Sequence, residues 1–344
     1  MATNSVPILD FAAFNSSDIS KKWEFYNALG RAFTEYGFIE LVNHPIDPDL
    51  LRRAYQLGEN FFDLQMSQKS KYTDPHSLGQ RGYTSFGLKQ PERSSETLRE
   101  VPEFKEAWQM GRDWTLALSD HSPCNCADPT DCDHKTHSST HSLPTAPKNY
   151  WPVELDLKDV FTQLYDQLEL LSLDLLDACS FYLGESDFTL RSLAEKGTSF
   201  LRILNYPELS QEFSPDRIRM SEHEDLSLIT LLCAPAVEGL QVLKLGEWLP
   251  VGRAKNSIII NVGELLCYIT RGGFKSAVHR VVRSPQGYPR RLSIPFFLIP
   301  DYQKILTPIK FERDHSPERK TDRTTVPVSA GDYMMRRIPE LPTY

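Results

Sequence analysis

The chain has 344 residues, 24% of them charged and 40% hydrophobic, with 38 Lys and Arg set against 46 Asp and Glu. That acidic balance, with no basic stripe to offset it, argues against nucleic acid as the main partner. No apolar run approaches the roughly 18–20 residues of a membrane span, and the opening MATNSVPILD lacks the basic and apolar regions of a secretory leader. The expectation is a soluble, cytoplasmic, monomeric protein. Its length allows one large domain or two ordinary ones, and no Gly/Ser-rich or charge-rich linker leaves two self-sufficient cores.

Residues 20–36 place Trp23, Tyr26, Leu29 and Phe33 at helical spacing, with Ser16, Ser17 or Asp18 as N-cap. A second helix is expected over 47–66, capped by Asp47, with Leu51, Ala54, Phe61 and Phe62 on its apolar side. Residues 155–184 read as one long helix that Gly184 can end. From 198 onward, short strand runs alternate with turn clusters such as PELSQEFSPD, LGEW, TRGG and SPQGYP, the pattern of a sandwich or jelly roll. The fold class is therefore mainly β with flanking helices. Residues 1–150 form a helical and mixed N-terminal region of the same domain, and 151–344 carry the long helix and the jelly-roll core. Cys179, Cys233 and Cys267 sit inside apolar patterns and read as buried thiols.

An insertion at about 115–147 interrupts the first region. Within it Cys124, Cys126, Cys132, His134, His137 and His141 crowd together. Cys124, Cys126, Cys132 and His134 can bind a structural zinc tetrahedrally. The other reading is a surface loop that happens to carry cysteines; CxC is tighter than the usual CxxC spacing.

The chemistry concentrates later in the chain. In EHEDLSLITLL, His223 and Asp225 are two apart, so on a strand an imidazole and a carboxylate point to one face. His279 lies in KSAVHRVV, a second alternating stretch. Two His and one carboxylate leave three positions open on a metal, the arrangement suited to non-haem iron(II) that must bind O₂ and an organic substrate. Beyond His279 comes RRLSIPFFLIP, where Arg291 and Ser293 again share a strand face and can hold a carboxylate. If SPQGYP is a hairpin turn between these two strands, ligand and clamp face the same interior.

These residues carry a resemblance. VPILDF, YGFIELVNHPI (with Pro45 where glycine is usual), RGYTSFG, NYWP, LRILNYP, EGLQVL with GEWLPV, and NVGELL before RGGFKSAVHRVV stand in one order along nearly the whole chain. In that order they resemble the iron(II)- and 2-oxoglutarate-dependent dioxygenases of the isopenicillin N synthase-like family. The resemblance implies a double-stranded β-helix with iron(II) held by His223, Asp225 and His279. It implies 2-oxoglutarate held by Arg291, Ser293 and Tyr206, while Leu204 stands where many plant members carry an asparagine. It further implies that O₂ and a small-molecule substrate react by hydroxylation, desaturation, demethylation or ring closure, with release of succinate and CO₂. Arg81 and Tyr83 would line the substrate pocket, although Arg81 can equally pair with a carboxylate of the protein. Phe297, on the strand face of Ser293, would supply an apolar wall. Two alternatives remain open at this point: an oxidase of the same fold that omits 2-oxoglutarate, and a non-enzymatic binding protein.

Overall fold

The structure is a computed structural model that describes residues 5–74, 81–86, 105–112, 148–185, 189–208, 219–233, 238–252, 254–282, 289–309 and 326–337. The Cys/His-rich insertion, with its candidate zinc ligands Cys124, Cys126, Cys132 and His134, lies outside the described residues.

The N-terminal region supplies β1 (Ile8–Asp10), α1 (Ile19–Glu35), β2 (Phe38–Val42), α2 (Pro48–Asp63), the single turn α3 (Met66–Lys69), β3 (Gly82–Thr84) and β4 (Glu106–Gly111). The capping carboxylates lie where the sequence points: Asp18 accepts from the Ser20 N–H, and Asp47 accepts from Asp49 with Pro48 at the first helical position. The apolar stripe of α1 differs at one position. Phe25, Tyr26, Leu29 and Phe33 are buried, whereas Trp23 is 43% exposed and meets Phe181 only edge-on. The stripe is set by what α1 packs against, and Trp23 lies at its margin.

Helix α4 (Leu157–Leu183) is the long helix expected from the pattern. Its buried positions Leu157, Phe161, Leu164, Leu168, Leu171, Leu175 and Cys179 recur at the helical period, and Gly184 ends it in the left-handed conformation at φ +75°. Helix α1 approaches closely because Gly30 lacks a Cβ; one there would lie 2.1 Å from the Tyr182 ring.

After the short α5 (Arg191–Ala194) come β5 (Phe200–Tyr206), β6 (Met220–His223), β7 (Ile229–Cys233), β8 (Leu240–Lys244), β9 (Glu247–Pro250) and β10 (Ile258–Val262). The turn-and-a-half α6 (Glu264–Ile269), β11 (His279–Val281), β12 (Arg291–Leu298), the minor pair β13 (Ile305–Leu306) and β14 (Val328–Ser329), and α7 (Ala330–Arg337) complete the chain. Eight strands form one sheet in the order β1-β2-β10-β7-β12-β5-β4-β3, and four form a second in the order β6-β11-β8-β9. Four strands of the larger sheet come from before residue 112, so the N-terminal region and the later strands share one sheet.

The larger sheet has two buried faces. Leu231 and Cys233 of β7, Ile258 and Ile260 of β10, Leu201 and Ile203 of β5, and Leu292, Ile294, Phe296 and Leu298 of β12 face the helices. There the edge of Phe296 meets the Tyr165 ring of α4 at 5.1 Å between centroids. The opposite face meets the smaller sheet through a second cluster in which Phe38 and Ile259 pack with Leu240, Val242, Leu249 and Val281. Two sheets with a core between them, and helices covering one outer face, make the jelly roll.

One expectation is corrected. SPQGYP does not join a hairpin: β11 pairs with β6 and β8, whereas β12 pairs with β5 and β7 in the other sheet. The connection crosses between sheets because both sides of β12 are already hydrogen-bonded.

The α4 interface should dominate stability. Leu168→Ala, at a fully buried position, is expected to lower unfolding free energy by about 2–5 kcal/mol, read as a lower denaturation midpoint in urea with an unchanged slope.

Candidate active site

The first two ligand-type residues reach each other across strands. His223 ends β6 and His279 begins β11, and the two are direct partners in the antiparallel register. Their rings lie 4.2 Å apart between centroids. His279 is also paired with Val242 of the inter-sheet cluster, so it faces inward, and its ring meets the edge of Phe38.

Asp225 is not on a strand, contrary to the expectation of a shared strand face, because β6 stops at His223. The carboxylate is aimed instead by hydrogen bonds. The Glu264 N–H donates to the Asp225 carbonyl at 2.8 Å, and the Asn261 side-chain amide donates to Oδ2, also at 2.8 Å. Oδ1 then lies 3.7 Å from His223 Nε2 and 3.8 Å from His279 Nε2. All three donor atoms fall within 4.8 Å of one another. Two metal–ligand bonds of about 2.0–2.2 Å span about 4 Å, so one ion can touch all three.

The imidazole orientation is fixed from behind. Nδ1 of His223 lies 2.8 Å from the Ser221 carbonyl, and Nδ1 of His279 lies 3.1 Å from the Ala277 carbonyl. A carbonyl only accepts, so each Nδ1 carries the proton and each Nε2 presents a lone pair to the centre. Burial, then the neighbouring His279 and the Lys105 ammonium, push the His223 pKa down to about 4 against the opposing pull of Asp225. Burial alone would raise Asp225, but the two imidazoles and the Asn261 and Thr230 hydrogen bonds hold it below the usual carboxylate range. Neutral imidazoles and an ionised carboxylate are the protonation states a metal requires.

The carboxylate clamp lies on β12. Arg291 pairs with Tyr206 of β5, and Ser293 with Leu204. Arg291 is only 2% exposed and Ser293 3%. Burial pushes the guanidinium pKa down, with Tyr206 and Tyr55 partly opposing it. Among the described residues the buried Ser293 hydroxyl meets no hydrogen-bond partner, and the Tyr206 hydroxyl meets the thioether of Met220 at 3.5 Å, a weak acceptor. A buried cation beside an unsatisfied hydroxyl and a tyrosine fits the carboxylate of a bound ligand.

Three further residues named from sequence are dispersed. Phe297 shares the face of Ser293 and stacks on Phe200 at 4.6 Å. Tyr83 does not reach the site: its hydroxyl donates to Glu106 at 2.6 Å within a buried cluster that includes Lys69, on the helix-facing side. Arg81 packs over Gly111, where any Cβ would lie 2.0 Å from its guanidinium, with Tyr165 and Tyr302 nearby. Sequence reasoning missed Asn261. Its signal was there, a lone polar residue within the apolar run IIINV.

Two family models match the chain. The N-terminal domain of non-haem dioxygenases, described for morphine synthesis, matches residues 6–152, and the 2OG-Fe(II) oxygenase superfamily matches 198–300. The chain belongs to the 2OG-Fe(II) oxygenase superfamily. Among its relatives is a 2-oxoglutarate-Fe(II) type oxidoreductase of Aspergillus fumigatus, 29% identical over 94% of this chain and 91% of its own. A 2-oxoglutarate-dependent dioxygenase of Aspergillus flavus is 28% identical over 85% and 83%. A full-length Neurospora crassa protein, solved in complex with alpha-KG, superposes with a TM-score of 0.77 at 26% identity, over 98% of this chain and 97% of that one. The same Neurospora protein has also been solved with alpha-KG and thymine (TM-score 0.77, 25% identity, 98% of each chain). This oxygenase thus uses iron(II) and 2-oxoglutarate, and the alternatives of a cosubstrate-free oxidase and of a non-enzymatic binding protein are set aside. None of its described helices is long and apolar enough to cross a membrane.

Because Asn261 aims Asp225, Asn261→Ala should weaken iron(II) binding about 10–100-fold, as read by equilibrium dialysis, with circular dichroism unchanged. Unaltered affinity would remove Asn261 from the support of the site.

Proposed function

We propose that His223, Asp225 and His279 are the iron ligands of this oxygenase, and that Arg291, Ser293 and Tyr206 receive the distal carboxylate of 2-oxoglutarate. The observation that carries the ligand assignment is the convergence of two imidazole nitrogens and one carboxylate oxygen within 4.8 Å. The cosubstrate assignment is supported by the deep burial of Arg291 and the unsatisfied Ser293 hydroxyl. When bound, the iron supplies the oxidation chemistry, drawing on O₂ and on 2-oxoglutarate, which leaves as succinate and CO₂. The protein's part is positional. Three ligands leave the remaining coordination sites open, Phe38 and the inter-sheet cluster exclude water behind His279, and the clamp orients the cosubstrate toward the iron.

The substrate in this reading is a small organic molecule oxidised next to Phe297. The solved relative that holds thymine with alpha-KG supports a compact substrate. The free thiols Cys179 and Cys233, both buried, and Cys267, half-buried, support a reducing, cytoplasmic setting.

The clamp is testable by itself. A forked guanidinium matches a carboxylate better than an ammonium does. Arg291→Lys is therefore expected to raise the apparent KM for 2-oxoglutarate about ten- to a hundredfold, and Ser293→Ala to raise it less. Iron affinity should stay unchanged in both. Ala at His223, Asp225 or His279 should instead abolish substrate-stimulated succinate release with loss of iron. Wild-type affinity for 2-oxoglutarate in Arg291→Lys would overturn the clamp assignment.

A further inference from the structure

The loop that carries Asp225 is held by the start of α6. Three successive N–H groups there donate to it: Gly263 to the Leu228 carbonyl at 2.9 Å, Glu264 to that of Asp225 at 2.8 Å, and Leu265 to that of Ser227 at 3.1 Å. Asn261, just before them, donates to the Asp225 carboxylate. A helix of six residues has little stability of its own, so its position is set by what packs against it.

Much of that packing comes from the last elements of the chain. The Ile309 N–H donates to the Ile269 carbonyl at 2.7 Å, and the Tyr268 hydroxyl donates to the Val326 carbonyl. The Tyr268 and Tyr333 rings lie 4.7 Å apart between centroids, and Ala330 and Met334 anchor α7 in the core. At the end of α7, Arg337 meets the Glu264 carboxylate through Nε and Nη2, both on Oε2. The Glu264 side chain is only 10% exposed, so this contact is far less screened than an open surface ion pair. Glu264 thus joins two segments: its N–H holds the Asp225 loop, and its carboxylate is held by α7.

We propose that Arg337 is a positioning residue for the metal centre: through Glu264 it fixes the start of α6, and with it Asp225, so that the C-terminal helix raises metal affinity. This rests on the assignment of Asp225 as an iron ligand made above. A ligand held in place before the ion arrives lowers the ordering cost of binding. His223 and His279 are held by a strand ladder, but Asp225 lies on a loop and depends on the helix beside it. Arg337 reaches that helix from 73 positions away in sequence. A charge-assisted contact to a mostly buried carboxylate is stronger than a neutral hydrogen bond, which suits it to lock so short an element.

The experiment measures manganese(II) affinity of the folded protein by equilibrium dialysis, with melting temperatures alongside. Wild type is compared with Arg337→Gln, Glu264→Gln and the double variant. Each single variant should bind the metal about three- to tenfold more weakly, less than the 10–100-fold typical of groups that touch a ligand directly. Because the two side chains act as one contact, the double variant should lose less than about twofold beyond the weaker single variant. Arg337→Lys, which keeps the charge without the planar fork, should lose about two- to threefold, and it decides the matter if Arg337→Gln does not fold. At saturating manganese(II), 2-oxoglutarate affinity should change less than about twofold. Wild-type metal affinity in the Arg337 variants, even with a lowered melting temperature, would overturn the proposal, as would losses that add in the double variant. Asp225→Ala separates this from the ligand assignment: wild-type metal affinity there would overturn that assignment, and this proposal with it.

Discussion

Strand β12 is hydrogen-bonded on both edges and buried on nearly its whole length, and its register governs the rest of the molecule. Leu292, Ile294, Phe296 and Leu298 must meet the helices, because α4 offers them a continuous apolar surface. Alternation then forces Arg291 and Ser293 to the opposite face, toward the smaller sheet. A slip of one residue would bury the guanidinium under α4 and turn four large apolar side chains into the cavity. Neither arrangement is tolerable, so the hydrophobic face and the polar face specify each other. The position of β5 follows from β12, and that of β4 from β5.

The candidate metal centre is built by a different device. Its two histidines are fixed by a ladder, but its carboxylate lies on a loop and is fixed by hydrogen bonds from Asn261 and from the Glu264 backbone. Gly263 makes this approach possible: a Cβ there would lie 2.1 Å from the Ser227 carbonyl. A loop ligand held by a neighbouring strand lets the smaller sheet present histidines while the larger sheet supplies their support. The centre therefore forms only when both sheets are docked.

Such a site is costly in isolation. Burying a guanidinium costs free energy, and an unsatisfied buried hydroxyl opposes folding unless something meets it. The apolar contacts of α4 with the larger sheet and of Phe38 with the smaller one offset that cost. Bound cosubstrate and metal would add to stability by mass action, since both would recognise only the folded arrangement.

The sequence by itself determined the helices and named the candidate ligand set. The capping carboxylates Asp18 and Asp47, the helical apolar period kept over the 27 residues of α4 and the terminating Gly184 are local signals, settled by neighbours a few residues away. His223, Asp225, His279, Arg291 and Ser293 were legible because their chemistry is unusual inside strand-like runs and because their order resembled a known family. Only the tertiary structure decided what depends on contacts between distant segments. It assigned β11 and β12 to different sheets, where a Pro/Gly-rich connection had suggested a hairpin, since no local pattern records which strand edges are already occupied. It drew Asn261 to Asp225 across 36 positions of sequence and sent Tyr83 to Glu106 in the helix-facing core. It also set Gln109 against Arg202, 93 positions away, through the β4–β5 ladder. Period and capping are short-range physics, whereas a cavity wall is a property of register, and register is fixed only when the sheets close on a common core.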